Sequence, residues 1–302
     1  MSEEGEDFNE SDFKELILKF ESMIATGAFI FFDTDDYEDI IEHYFQSQNA
    51  EMLLPALDAA MEQYPSNSSF KISKAQYLAS MQKTAEALKI LNDLELVDST
   101  EADLYMTRGF IYSQMGLSEQ AIENYKTAVK YSTEPDEVYL SLGVEFINKT
   151  EYDNALFYLK KGLTLNPKND VILSELSLCF EVANKKEEAV EFFQKYLDDF
   201  PYNHYAWFSL GIACNRLGRF EDAIDAYDFA VTIHPDFSSA YFNKGNSLAQ
   251  LGRFHDAIAV YKETFHHEKP DPAALYYIGE CYENLEDYQN ALVNYNKCVK
   301  LD

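Results

Sequence analysis

Residues 204–237 read HYAWFSLGIACNRLGRFEDAIDAYDFAVTIHPDF, and two stretches of this segment carry apolar residues at helical spacing. The first stretch ends near Gly218, a residue type that readily adopts the left-handed conformation with which many helices end. Pro235 follows the second stretch, where it cannot continue a helix. The segment therefore predicts two antiparallel helices joined by a short turn.

The pattern of this segment repeats along the chain every 34 residues. A small residue recurs in the first helix at Ala75, Gly109, Gly143, Ser177, Gly211, Gly245 and Gly279. An alanine recurs in the second helix, without insertion or deletion, at Ala87, Ala121, Ala155, Ala189, Ala223, Ala257 and Ala291. Because large side chains would force the helices apart, we expect the two backbones to approach closely at these positions. A strict period of this length predicts an all-α array with a long surface and no deep pocket.

The repeated unit resembles a known family. Six positions of the segment resemble the tetratricopeptide repeat, a helix–turn–helix unit: Trp207, Leu210, Gly211, Ala223, Tyr227 and Pro235. The resemblance covers about 270 of the 302 residues, with eight copies that start near residues 34, 68, 102, 136, 170, 204, 238 and 272. It implies a right-handed superhelical solenoid, similar to bacterial arrays of such repeats, with the first helices on its concave side. The family hosts many unrelated roles, so this fold names no partner.

The residues before the array predict a cap at its first end. Residues 1–10 are acidic and predict a disordered tail. Residues 11–33 predict a capping helix that starts at Ser11 and stops at Gly27, followed by a linker to the array at 34–302.

The first repeat departs from the pattern of the others. Leu53 and Ile41 stand where later copies have smaller residues, and Pro55 falls within the second helix. Since proline disrupts a helix interior, we expect that helix to start late or to kink.

The last repeat predicts an open end. Leu292, Tyr295 and Val299 are expected to face water, because no further helix follows them in the sequence. Two interpretations remain open: the natural chain continues beyond Asp302, or this end pairs with another chain.

The charge of the chain limits its partners. The sequence has 53 acidic and 24 basic side chains, a net charge of −29, and no basic stripe. Nucleic acid and anionic membranes are therefore not expected as partners. The charge favours solubility, and attraction of a basic partner is the alternative. No apolar run approaches the ~18 residues that span a bilayer, and the N-terminus lacks the order of a secretion signal. We expect a soluble, cytoplasmic protein.

Motifs of catalysis are absent from the sequence, which lacks a phosphate-binding glycine loop, HExxH and GxSxG. The sequence therefore predicts no enzyme activity, no catalytic residue, no metal site and no cofactor. Four cysteines are predicted to be small buried hydrophobes: Cys179, Cys214, Cys281 and Cys298.

The first helices of repeats 3 to 6 have one apolar face that is expected to pack in the core. A further face of these helices, expected to point into the groove, is also apolar, although a solvated helix face should be polar. A contiguous apolar groove on a soluble chain indicates an interaction surface. The alternative is that some of these side chains pack against neighbouring helices as core. The predicted partner-binding residues are Met106, Phe110, Leu140, Val144, Ile147, Asn148, Leu178, Tyr205, Phe208, Ile212, Asn215, Arg216, Phe242 and Asn246.

The first functional hypothesis is a non-catalytic scaffold that binds a protein or peptide segment in this groove. Such a partner would be partly apolar, and the net charge leaves open that it is basic. The second hypothesis is a regulatory or targeting arm of a longer protein that continues after residue 302. The third is self-assembly, with a homodimer formed through the open C-terminal end.

Overall fold

The computed structural model describes residues 3–97, 100–267 and 271–301, and within these ranges the chain is helical without any strand. Two compact units divide it at residues 133 and 134. Unit 1 holds α1 Glu3–Thr26, α2 Thr34–Gln46, α3 Ala50–Gln63, α4 Ser68–Ser80, α5 Thr84–Glu95, α6 Ala102–Gln114 and α7 Ser118–Tyr131. Unit 2 holds α8 Asp136–Asn148, α9 Tyr152–Leu165, α10 Asp170–Val182, α11 Lys186–Asp199, α12 His204–Arg216, α13 Phe220–Ile233, α14 Ser238–Gln250, α15 Phe254–His267, α16 Pro272–Asn284 and α17 Tyr288–Leu301. The all-α fold predicted from the period is confirmed, and the number of repeats and the hand of the array stay predictions.

The first helix of most pairs begins at a capping side chain. Asn67, Asn169 and Asn203 each accept a hydrogen bond from the backbone N–H three residues later, at 3.4, 3.1 and 2.8 Å. Asp33 does the same for the N–H of Asp36, whose side chain accepts from the Asp33 N–H in return. Such caps satisfy backbone donors that the helix leaves free, and each stabilises it by about 1 kcal/mol.

The turn inside each pair has left-handed backbone at a fixed position. Gly218 has a φ of 73°, as its place in the sequence predicts. The equivalent residues, 34 apart, also have positive φ: Gln48, Gln82, Gly116, Thr150, Asn184, Gly252 and Glu286. The turn geometry is therefore kept even where the residue is not glycine and adopts this conformation at some cost.

The small residue of each first helix makes room for a side chain of the second helix. A Cβ atom added at Gly211 would lie 2.4 Å from Cε1 of Tyr227, and one added at Gly245 would lie 2.5 Å from Cε1 of Tyr261. The atoms nearest to the space beside Gly211 are those of the Tyr227 ring. The expected close approach of the backbones at Gly211 and Ala223 stays a prediction.

Helix α1 begins earlier than the sequence predicts. It starts at Glu3, so the predicted boundary at Ser11 is wrong; residues 1 and 2 lie outside the described residues. The acidic composition of residues 3–10 suits the N-terminal end of a helix, whose dipole favours negative charge there. Further along α1, Phe20 is fully buried in a cluster with residues of α2 and α3, so this helix covers part of their apolar surface.

Helix α3 also differs from its expectation. It begins at Ala50 in spite of Pro55, at the position where the later second helices begin, so the late start predicted from the proline is wrong. The side chain of Asn49 caps this start by accepting from the N–H of Met52 at 3.3 Å. Pro55 is the sixth residue of α3, so the helix lacks the hydrogen bond that a backbone N–H at this position would donate, while the Asn49 cap satisfies a backbone donor of the first turn.

Candidate functional site

The predicted partner-binding residues are divided between the two units. Met106 and Phe110 lie on α6 in unit 1, where Phe110 is exposed. The other twelve lie on four helices of unit 2, and we call them the α8–α14 surface: Leu140, Val144, Ile147, Asn148, Leu178, Tyr205, Phe208, Ile212, Asn215, Arg216, Phe242 and Asn246. Every one of the fourteen residues keeps at least part of its side chain exposed, so none is a fully buried core residue.

The aromatic members of the α8–α14 surface pack partly within the fold. The ring of Phe208 lies 4.9 Å from that of Phe237, and the ring of Tyr205 lies 5.2 Å from it. The ring of Phe242 lies 5.5 Å from that of Tyr277 on α16. These contacts bury part of each ring, as the alternative of core packing implies, and each of the three residues stays partly exposed.

Helix α10 presents the most exposed apolar side chains of this surface. Leu178 is 45% exposed, and Val171 and Val182 on the same face are 57% and 44% exposed. Val182 was not among the predicted residues because it lies one position beyond the repeat positions from which the groove residues were predicted. Its distance of four residues from Leu178, one helical turn, is the sequence signal that could have found it.

Tyrosine hydroxyls from the second helices reach polar side chains on the first helices. The Tyr261 hydroxyl donates to Oδ1 of Asn246 at 2.7 Å, and the Tyr295 hydroxyl donates to Oε2 of Glu283 at 2.8 Å. Burial raises the pKa of Tyr261, so this hydroxyl stays a donor at neutral pH. The bond uses the carbonyl oxygen of the Asn246 side chain as acceptor and so orients the amide, whose N–H groups are donors.

The charge of Arg216 is already used within the fold. Its guanidinium donates to the carboxylate of Glu181 on α10, in a contact that links the first helices α10 and α12. Arg216 is among the predicted partner-binding residues, and in the structure its guanidinium is paired with a carboxylate of the same unit. On the same helix as Glu181, burial raises the pKa of the Glu175 carboxyl. The polar part of the surface is therefore not a cluster of free cations.

Three of the four cysteines are buried and free, as predicted: Cys179, Cys214 and Cys281. Burial raises the pKa of Cys179 and of Cys281 to about 11. Cys298 is half-buried instead. Among the residues that the structure describes, no three His, Cys, Asp or Glu side chains gather as a metal site. None of the helices in these ranges is both long and apolar enough to traverse a bilayer.

The last helix, α17, carries an exposed apolar face. Leu292 and Val299 are exposed, as predicted. Tyr295 is half-buried, since its ring lies 5.6 Å from that of Tyr276 and its hydroxyl is bonded to Glu283.

Several segments match models described as tetratricopeptide repeat. The matched residues are 102–134, 136–169, 173–201, 204–237 and 242–297. These segments together cover more than half of the chain.

Comparison with known proteins gives curated relatives that match part of the chain. The human protein DnaJ homolog subfamily C member 7 is 27% identical over 106 residues, which are 35% of this chain and 22% of that protein. The chain thus spans about a fifth of the length of the curated relatives it matches.

Two solved structures share the fold. The PilF protein of Pseudomonas aeruginosa is 18% identical with a TM-score of 0.51, and the match covers 68% of this chain and 92% of PilF. A chain of the Cut9–Hcn1 hetero-tetramer of the APC/C is 14% identical with a TM-score of 0.50, over 89% of this chain and 53% of that one. Similarity at this level shows the fold alone.

Proposed function

Because the chain belongs to the tetratricopeptide repeat family, we propose that it is a protein-interaction scaffold whose α8–α14 surface binds a partly apolar segment of a partner protein. The observation that carries the proposal is the row of exposed apolar side chains on α10, which includes Leu178 and Val182. Apolar side chains of α8, α12 and α14, such as Val144 and Ile212, are partly exposed on the neighbouring first helices. Contiguous apolar surface of this kind is typical of interaction sites.

Binding would draw its affinity from apolar burial and a few anchors. Each large apolar side chain that a partner covers stabilises the complex by up to about 1.5–3 kcal/mol. The half-exposed rings of Phe208 and Phe242 are held by their neighbours, so covering them costs little conformational entropy. Asn246 would bond the backbone of an extended or helical segment.

The charge of the chain bears on the choice of partner. With a net charge of −29, the scaffold attracts basic segments at long range and repels acidic ones. We therefore propose a partner segment that combines apolar side chains with positive charge.

Capture of partners by a tagged chain tests the proposal. The variant Leu178→Asp with Val182→Asp places two charges on the exposed α10 face and should reduce the amount of captured partner by at least about tenfold. These positions are preferable to Phe208, whose substitution would also remove its contact with Phe237. Quantitative mass spectrometry of the captured proteins gives the measurement.

The matched control is Phe157→Asp with Leu165→Asp on α9, where the two side chains are 53% and 55% exposed. It makes the same chemical change outside the α8–α14 surface and should capture partners as the unchanged chain does. Circular dichroism should show the same helical content for both variants. Equal loss in both variants, or loss in neither, would reject the proposed surface.

The exposed face of α17 supports a second proposal, that two copies of the chain associate through Leu292 and Val299. Exposed apolar side chains that lie together on one helix face are typical of protein–protein contacts. Sedimentation of the purified chain over a range of concentrations separates the two proposals, because binding at the α8–α14 surface does not require a dimer.

A further inference from the structure

Unit 1 contains a cavity of about 410 Å³ among α2, α3 and α4. Buried apolar side chains form its floor: Leu53 and Leu57 from α3 and Phe70 from α4. Phe45, which is 63% exposed, and Ile41 form the wall on α2. The volume lies in the range of about 300–1,000 Å³ that ligand pockets have, and it has room for a large apolar side chain.

The first helix pair lines the cavity with two side chains that differ from those of several later pairs. In four later pairs a glycine of the first helix faces a tyrosine ring of the second, as Gly211 faces Tyr227. At the same two positions, 170 residues earlier, the first pair has Ile41 and Leu57, and both line the cavity.

The rim of the cavity is negatively charged on one side. Glu38 and Glu42, one turn apart on α2, are the charged residues among those that line it, and both are exposed. The opposite rim on α4 is polar and uncharged, with Ser73 and Gln76. Lys74, which follows Ser73 in the sequence, is paired with Asp58 on α3. An apolar floor beside two carboxylates favours a ligand with an apolar side chain next to positive charge.

We propose that this cavity binds an apolar side chain of a partner protein segment that carries lysine or arginine beside it. The side chain fills the space over Leu57 and packs against Phe45, and the basic neighbours face Glu38 and Glu42. This site lies in unit 1 and does not depend on the α8–α14 surface of unit 2. It gives the scaffold a second place of contact with a partner protein, and this place prefers positively charged segments.

Fluorescence anisotropy with labelled synthetic nonapeptides tests the proposal on the full chain at low ionic strength. The probe has a central phenylalanine with two lysines on each side in a glycine–serine background. One comparison peptide has glutamates in place of the lysines, and another has glycine in place of the phenylalanine. The probe should bind at least about tenfold more tightly than either comparison peptide.

Variants of the chain separate the two parts of the recognition. Phe45→Ala changes an exposed side chain and should weaken binding of the probe by about tenfold. Glu38→Gln with Glu42→Gln should abolish the preference for lysine over glutamate. Glu51→Gln with Glu86→Gln, which removes two exposed carboxylates elsewhere in unit 1, should leave that preference unchanged.

The substitutions Leu178→Asp with Val182→Asp should not affect binding of the probe, which keeps this test independent of the function proposed above. The proposal is overturned if the three peptides bind equally, if Phe45→Ala binds the probe as the unchanged chain does, or if both pairs of glutamine substitutions act alike.

Discussion

Replacing Gly211 by alanine should destabilise unit 2 by about 1–3 kcal/mol, the general cost of overpacking a close-packed core. The new Cβ atom would lie 2.4 Å from Cε1 of Tyr227, and the ring of Tyr227 is itself fully buried. Neither side chain can yield without displacing its neighbours. The midpoint of unfolding in urea, followed by circular dichroism, gives the measurement.

A second substitution tests whether the ring is the cause. Tyr227→Leu on top of Gly211→Ala reproduces the pair Ala75 and Leu91, which occupy the same two positions in unit 1 and are both buried. The double variant should be more stable than the sum of the two single changes predicts, because the leucine side chain leaves room for the new Cβ atom at position 211. Additive losses would show that the contact between the glycine and the ring does not limit the packing.

Replacing Tyr37 by alanine should destabilise unit 1 by about 3–5 kcal/mol, as for other large buried aromatic side chains. The side chain of Tyr37 is fully buried, and its ring lies 6.4 Å from that of Phe20, 5.5 Å from Phe32, 6.3 Å from Tyr64 and 6.1 Å from Phe70. These rings come from α1, α4 and the segments next to α2 and α3. The space that the Tyr37→Ala substitution leaves would therefore weaken the packing of several elements at once. Thermal unfolding and urea denaturation measure the loss.

The matched control is Tyr37→Phe, which keeps the ring and removes only the hydroxyl. Within the described residues the Tyr37 hydroxyl is buried without a hydrogen-bond partner, and burial raises the pKa of Tyr37 to about 12. Removing an unsatisfied polar group should leave the stability unchanged or raise it by up to about 1–3 kcal/mol. If Tyr37→Phe destabilises as much as Tyr37→Ala, the stability depends on the hydroxyl and not on ring packing.

The period of 34 residues was sufficient to predict the helices and the turn at Gly218, because local spacing and glycine conformation determine both. The role of Gly211 was not predictable in the same way. A small residue permits either a close backbone or an inserted ring, and only the structure shows Tyr227 in that space. The start of α1 at Glu3 was missed because acidic composition indicates disorder as readily as the N-terminal end of a helix.

The candidate site was predictable only in part. Spacing identified the helix faces that carry Leu178 and Phe208, but it could not show that the ring of Phe208 packs against that of Phe237. The cavity of unit 1 was missed for a related reason. Ile41 and Leu57 are ordinary apolar residues when each is taken alone, and only the structure shows that they line one cavity with Phe45 and Phe70.

The central claim is that a partner segment lies on the α8–α14 surface, and photo-cross-linking tests it most directly. A photoreactive phenylalanine analogue is placed at Leu178 in one chain and at Phe157 on α9 in another, two exposed positions of the same unit. Each chain is irradiated in the presence of the captured partner, and the adducts are identified by mass spectrometry. The account predicts covalent adducts of the partner at position 178 and none at position 157. Adducts at position 157 without adducts at position 178 would contradict it.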